Sequence, residues 1–132
     1  MSFLIVAALL VLPVYAVQRH GLIAPLVGIV ALTLSGLTYW IYAVDKRRAE
    51  EGLWRVPEAH LHLLELLGGW PGAFLAQRRL RHKCSKGSYQ FVFWLIVLGY
   101  QFAAYDSLQH WQYSRAGLNW IERASKERTL PN

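Results

Sequence analysis

The sequence predicts an all-α membrane protein: three transmembrane helices plus a helical hairpin, broken by glycine and proline, that re-enters the bilayer or lies at its interface. Four transmembrane helices are the alternative. Three observations carry this expectation. Of 132 residues, 55 % are hydrophobic, against roughly 45–50 % in soluble domains. Arg19 is the sole charged side chain among the first 44. A third apolar region, residues 61–75, is interrupted by Gly68-Gly69-Trp70-Pro71-Gly72, a run through which a straight helix does not persist.

The first apolar run, residues 3–17 with Pro13 inside it, is barely long enough for a hydrocarbon core that takes roughly 17–25 residues. Val14-Tyr15-Ala16 would suit a signal-peptide cleavage site, but no Lys or Arg precedes the run as a secretory n-region requires, so a retained helix is expected. Gln18-Arg19-His20-Gly21 makes a turn, and residues 22–44 form a second stretch of spanning length. Residues 1–44 are therefore expected to hold two antiparallel transmembrane helices. Gly28, Ser35 and Gly36 allow close helix approach, and Thr33 and Thr38 are placed to bond back to their own backbone. Tyr39, Trp40 and Tyr42, followed by Asp45-Lys46-Arg47-Arg48, resemble an aromatic belt and a cytoplasmic basic cluster.

Residues 45–88 are expected at the cytoplasmic face. Pro57 suits a first helical turn and Glu58 its positive end, giving one helix over 57–67 and another from Pro71 to about Leu80, with the bend at Gly68, Gly69 and Gly72. Lys46, Arg47, Arg48 and Arg55 precede the hairpin; Arg78, Arg79, Arg81, Lys83 and Lys86 follow it, with no cation between. A re-entrant hairpin places nine cations in the cytoplasm and five outside, whereas a true span splits them eight to six, so the positive-inside rule favours re-entry. Residues 89–105, aromatic at both ends, form the last transmembrane helix, and 106–132 an amphipathic tail suited to a membrane surface.

The length admits one domain and excludes a two-domain enzyme. The single Cys84 excludes an internal disulfide and every CxxC site. A net charge of +6, with the cations split among loops and most aromatics in spans, points to anionic headgroups before nucleic acid, so direct nucleic-acid binding is not expected. Glu58, His62 and Glu65 share one helix face at i, i+4 and i+7, a weak metal set in which capping and local pairing are the commoner roles, and no metal or cofactor is expected. The segment 78–88 concentrates guanidinium, ammonium and hydroxyl donors suited to phosphate. The residues singled out for an anionic ligand are Asp45, Lys46, Arg55, Glu58, Arg81, His82, Lys83 and Lys86. The expected function is that of a multi-pass protein of the bacterial inner membrane, not an enzyme, whose cytoplasmic face holds an anion such as lipid phosphate. One alternative is a membrane-embedded enzyme with His82 or Glu58 as acid or base. The other is a subunit binding a membrane-protein partner or its own copies.

Several linked pieces stand in order between Asp45 and Ser88. They are Asp45-Lys46 with Ala49, Trp54-Arg55-Val56-Pro57-Glu58, Leu66-Leu67-Gly68-Gly69 with Gly72-Ala73, and Arg81-His82-Lys83 with Lys86. In these the chain resembles the bacterial membrane proteins of domain-of-unknown-function family 1294. The resemblance covers the middle third and extends through the following aromatic span. It departs at Cys84, where that family more often has Thr, which argues against thiol chemistry. It implies a small multi-pass protein, sometimes with an N-terminal cold-shock domain, and brings no reaction with it. Because the sequence starts on an apolar helix, the form without that domain is expected.

Overall fold

The computed structural model describes residues 2–19, 21–81 and 86–129. Among them the structure is helical throughout: α1 (Ser2–Gln18), a 3₁₀ turn (Gly21–Ile23), α2 (Ala24–Glu50), α3 (Glu58–Leu64), a π-helical turn (Glu65–Gly69), α4 (Trp70–Leu80), α5 (Gly87–Leu108) and α6 (Gln112–Thr129). Pro25 and Pro71 lie in the opening turns of α2 and α4, where the missing N–H leaves no bond unmade.

Two helices, α2 and α5, are long and apolar enough to cross a membrane, with mean hydropathies of 1.7 and 1.4 over their best windows. Only 11 % and 22 % of those windows are buried, so their apolar side chains point outward. Leu26, Ile29, Leu32, Leu95 and Leu98 are all exposed. That is an inverted arrangement for a water-soluble core and a natural one in lipid. The shorter apolar α1 falls below spanning length by the same measure. It is nonetheless built into the bundle: Val6 and Ala16 are buried, and Gln101 Nε2 of α5 donates to the Leu9 carbonyl at 2.7 Å.

The segment expected to bend does so. Gly68 has φ +119°, a conformation costly for any residue with a Cβ, and here α3 and its π turn give way to α4. The glycines beside it serve contact. A Cβ at Gly69 would lie 2.0 Å from Thr38 Oγ1, and one at Gly72 only 1.9 Å from the Ser35 carbonyl oxygen. Both arms therefore lie against α2 at van der Waals limit. Both also return to the same level of it, since Glu65 on the descending arm and Gln77 on the ascending arm reach the Tyr42 hydroxyl. The first helix of the hairpin starts at Glu58, one residue after Pro57. Its second half widens into the π turn instead of continuing to Leu67 as an α-helix.

The core is formed where α2, the hairpin and α5 meet, from Tyr42, Leu61, Trp70, Phe74, Tyr89, Phe93 and Val97. At the far end of α5, Asp106 accepts from the Tyr113 and Ser114 backbone N–H groups at 2.9 and 3.1 Å, capping the exposed, amphipathic α6 after a turn with positive φ at His110 and Trp111.

Candidate functional site

A polar cluster lies at the end of the bundle where α2, the hairpin and α5 converge. Glu65 is its centre and is wholly buried. Its Oε1 accepts from the Tyr42 hydroxyl at 2.5 Å and from the Tyr89 hydroxyl at 2.8 Å, and the two hydroxyls touch each other. Its Oε2 meets His62 Nδ1 at 2.7 Å. Two tyrosine hydroxyls and an imidazole nitrogen thus converge on the one carboxyl group of Glu65. Gln77 Nε2 donates to the Tyr42 oxygen at 3.1 Å, and Gln90 Nε2 donates to Gln77 Oε1 at 2.7 Å. The His62 ring stacks on Tyr89 at 4.1 Å between centroids. Among the described residues no buried side-chain nitrogen or oxygen lacks a partner. This buried network is a lock: it ties α2, both hairpin arms and α5 at one level.

The sequence reading assigned two of these residues otherwise. Tyr42 and Tyr89 were expected in interfacial aromatic belts, yet both are buried inside the bundle, because their hydroxyls serve a carboxylate and not the headgroup region. Trp40, two residues earlier and on the opposite side of the helix, is 62 % exposed and keeps the belt position. Glu65 stands out in sequence as a charge within an apolar stretch, and Gln77 and Gln90 as amides beside apolar neighbours. Such groups at membrane depth point to partners without saying which.

Around this lock the residues singled out for an anion divide into pairs. Asp45 is fully buried; its Oδ1 accepts from the Val56 N–H at 2.8 Å and its Oδ2 faces the Arg55 guanidinium at 3.4 Å. That fixes the path of the loop leading into α3. Lys86 Nζ donates to both carboxylate oxygens of Glu58, at 2.7 and 2.9 Å, closing the mouth of the hairpin against the start of α5. Lys46 has an exposed pairing with Glu50 at 3.6 Å. Arg81 ends α4 in the left-handed region, φ 49°, with its side chain exposed. His82 and Lys83 lie outside the described residues. Gly68, Gly69 and Gly72 sit at the bend and its contacts with α2. The i, i+4, i+7 set does not assemble: Glu58 is held by Lys86 while His62 and Glu65 hold each other. No group of three or more His, Cys, Asp or Glu side chains among the described residues is arranged to hold a metal.

Residues 35–89 match the family described as protein of unknown function (DUF1294). The chain is also 32 % identical over 63 residues to the uncharacterized protein YsdA of Bacillus subtilis (strain 168), an alignment that takes in 48 % of this chain and 68 % of that protein. The chain belongs to the DUF1294 family. No solved structure matches it. The DUF1294 segment runs from the Ser35 contact with Gly72 to Tyr89, so Tyr42, His62, Glu65, Gln77 and Tyr89 all fall within it. So do the Asp45 loop and the Lys86–Glu58 pair. The α1 helix and the tail helix α6 lie outside it.

Proposed function

We propose that this DUF1294 protein is a multi-pass protein of the bacterial inner membrane that holds an anionic group, a lipid phosphate, at its cytoplasmic face. The single observation behind this reading is the double tether on Tyr42. Because Glu65 and Gln77 reach one hydroxyl, the hairpin leaves and returns on the same side of α2, and the basic segments before and after it share one end of the molecule. Counting Lys46, Arg47, Arg48, Arg55, Arg78, Arg79, Arg81 and Lys86 against Asp45, Glu50, Glu51, Glu58 and Glu65, that end carries eight described basic residues to five acidic ones. Such an excess attracts anionic headgroups and, by the positive-inside rule, faces the cytoplasm. The pairing of Glu58 with Lys86 favours a binding role over Glu58 acting as an acid or base.

The test is retention of phosphatidylglycerol against phosphatidylcholine by the full chain purified from mixed vesicles, at low and high salt. Preferential retention that weakens with salt, and falls in Arg81→Ala and Lys83→Ala, is expected. Equal retention of both lipids, or no change in the variants, would overturn the reading.

A further inference from the structure

The α4 helix packs against both α1 and α2, which touch each other little. Beside its first turn, between α1 and α2, lie two adjacent apolar cavities of about 620 and 380 Å³. Both are lined by Leu10, Val14, Gly28, Ala31 and Pro71, so they make one continuous groove. Along α2 it runs from Ala24 to Tyr39, about 22 Å at 1.5 Å per residue. Gly28 and Gly36 were expected to receive a neighbouring helix; instead a Cβ at either would meet nothing within 4 Å, and they open onto this groove.

Two cations stand beyond one end of the groove. Leu75 and Val6 wall it there. One turn beyond Leu75 on α4 stands Arg79, whose guanidinium lies over the Phe3 ring at 5.3 Å, and Phe3 is one turn before Val6. On α2, Lys46 follows the wall residue Tyr39 by two turns and so lies on the same face; its Glu50 partner is a solvent-exposed pair, weak enough to yield to a second anion. Beyond the other end, near Gln18 and Ala24, stands the single cation Arg19, engaged by the Tyr15 hydroxyl at 3.0 Å and lying over the Tyr15 ring. A long apolar slot capped at one end by two cations has the form of a single anionic phospholipid.

We infer that the groove holds one acyl chain of a bound anionic phospholipid, with its phosphate between Arg79 and Lys46. This deepens the proposed function and rests on its reading of the basic end as an anion-holding face. It moves the phosphate to the α1 side of α4 and supplies the apolar contact that fixes it. A second copy of the chain fits the groove less well: inserted with the same membrane orientation, it would bring its own Arg79 and Lys46 against these, whereas a phosphate neutralises them.

The experiment is native mass spectrometry of the full chain equilibrated with an equimolar mixture of phosphatidylglycerol and phosphatidylcholine. One retained phosphatidylglycerol is expected. Gly36→Leu and, independently, Gly28→Leu fill the slot from positions where a side chain meets open space, so both variants should fold, as checked by circular dichroism, and lose bound lipid of either kind. Arg79→Ala and Lys46→Ala should keep a lipid but lose about fivefold in preference for the anionic one per cation removed. Undiminished phosphatidylglycerol in both groove-filling variants would overturn the inference, as would a dimer in place of a lipid adduct that those variants dissociate. If Arg81→Ala and Lys83→Ala release the lipid while the groove variants do not, the proposed function stands and this site falls. If the groove variants release it and the loop variants do not, the site stands and the loop pocket falls.

Discussion

Glu65 shows how one side chain can decide the arrangement of four segments. A carboxyl group removed from water is costly without partners, and Tyr42, His62 and Tyr89 from α2, α3 and α5 supply them. Glu65→Leu strands two phenolic hydroxyls and an imidazole together, and a loss of about 2–5 kcal/mol in unfolding free energy is expected. Glu65→Gln should cost less. Its carbonyl oxygen can face the tyrosines while its amide donates to His62, whose proton moves to Nε2. Denaturant titration in detergent distinguishes the two, and equal losses would show that the network does not discriminate donor from acceptor. Asp45 has a smaller duty: Asp45→Ala leaves the Val56 N–H unmatched and frees Arg55. A loss of about 1–3 kcal/mol, with faster proteolysis in residues 51–57, is the expected outcome. Of these details the sequence showed Glu65 as an anomaly and Asp45 as a motif residue. It could not show that Tyr42 and Tyr89 turn inward, because a tyrosine at a helix end suits a lipid interface and a buried hydroxyl partner equally well, and the partner lies more than twenty residues away.

At the scale of elements, the hairpin was legible because its causes are local. Glycine at +119° and proline in a first turn leave a chain few other courses. What was not legible was how closely the arms approach α2, which depends on Ser35 and Thr38 meeting Gly72 and Gly69 across the fold. A comparison of four glycines separates these roles. Gly72→Ala places a methyl against the Ser35 backbone and should strongly destabilise the protein or prevent its folding, and Gly68→Ala should suffer from its backbone angle. Gly28→Ala and Gly36→Ala, facing open space, should change stability by about 0.5 kcal/mol or less in either direction. Melting temperatures of the four variants would show it. A Gly72→Ala protein as stable as the parent would mean that the hairpin does not lie where its contacts put it. The π turn, too, escaped the sequence, since the 3.6-residue pattern of 58–67 gives no sign of widening ahead of the bend.

For the whole molecule, the apolar surface and the charge distribution were both readable, whereas the packing of α1 was not. Its composition favours a retained helix over a signal sequence without saying what that helix packs against, while its contacts through Val6, Ala16 and the Leu9 carbonyl make it part of the fold. The proposed hairpin, returning to its own side, predicts that the residues before it and those after it face one side of the membrane. Labelling Cys84 in sealed inverted and right-side-out vesicles, and then a Cys84→Ser, Glu51→Cys variant, should give the same accessibility. Opposite sidedness for the two positions would mean that the hairpin crosses the membrane and would remove the shared basic face.

The lock around Glu65 also sets an order of assembly. Its carboxylate leaves the ribosome before one of its donors exists, because Tyr89 follows it by 24 residues and belongs to the next helix. Until α5 has been made, the descending arm carries a polar group short of one partner and has reason to wait in the aqueous boundary. Settling of the hairpin would then be a late event in biogenesis, triggered by the arrival of the last apolar helix, and a nascent chain halted short of α5 should remain a substrate for membrane proteases.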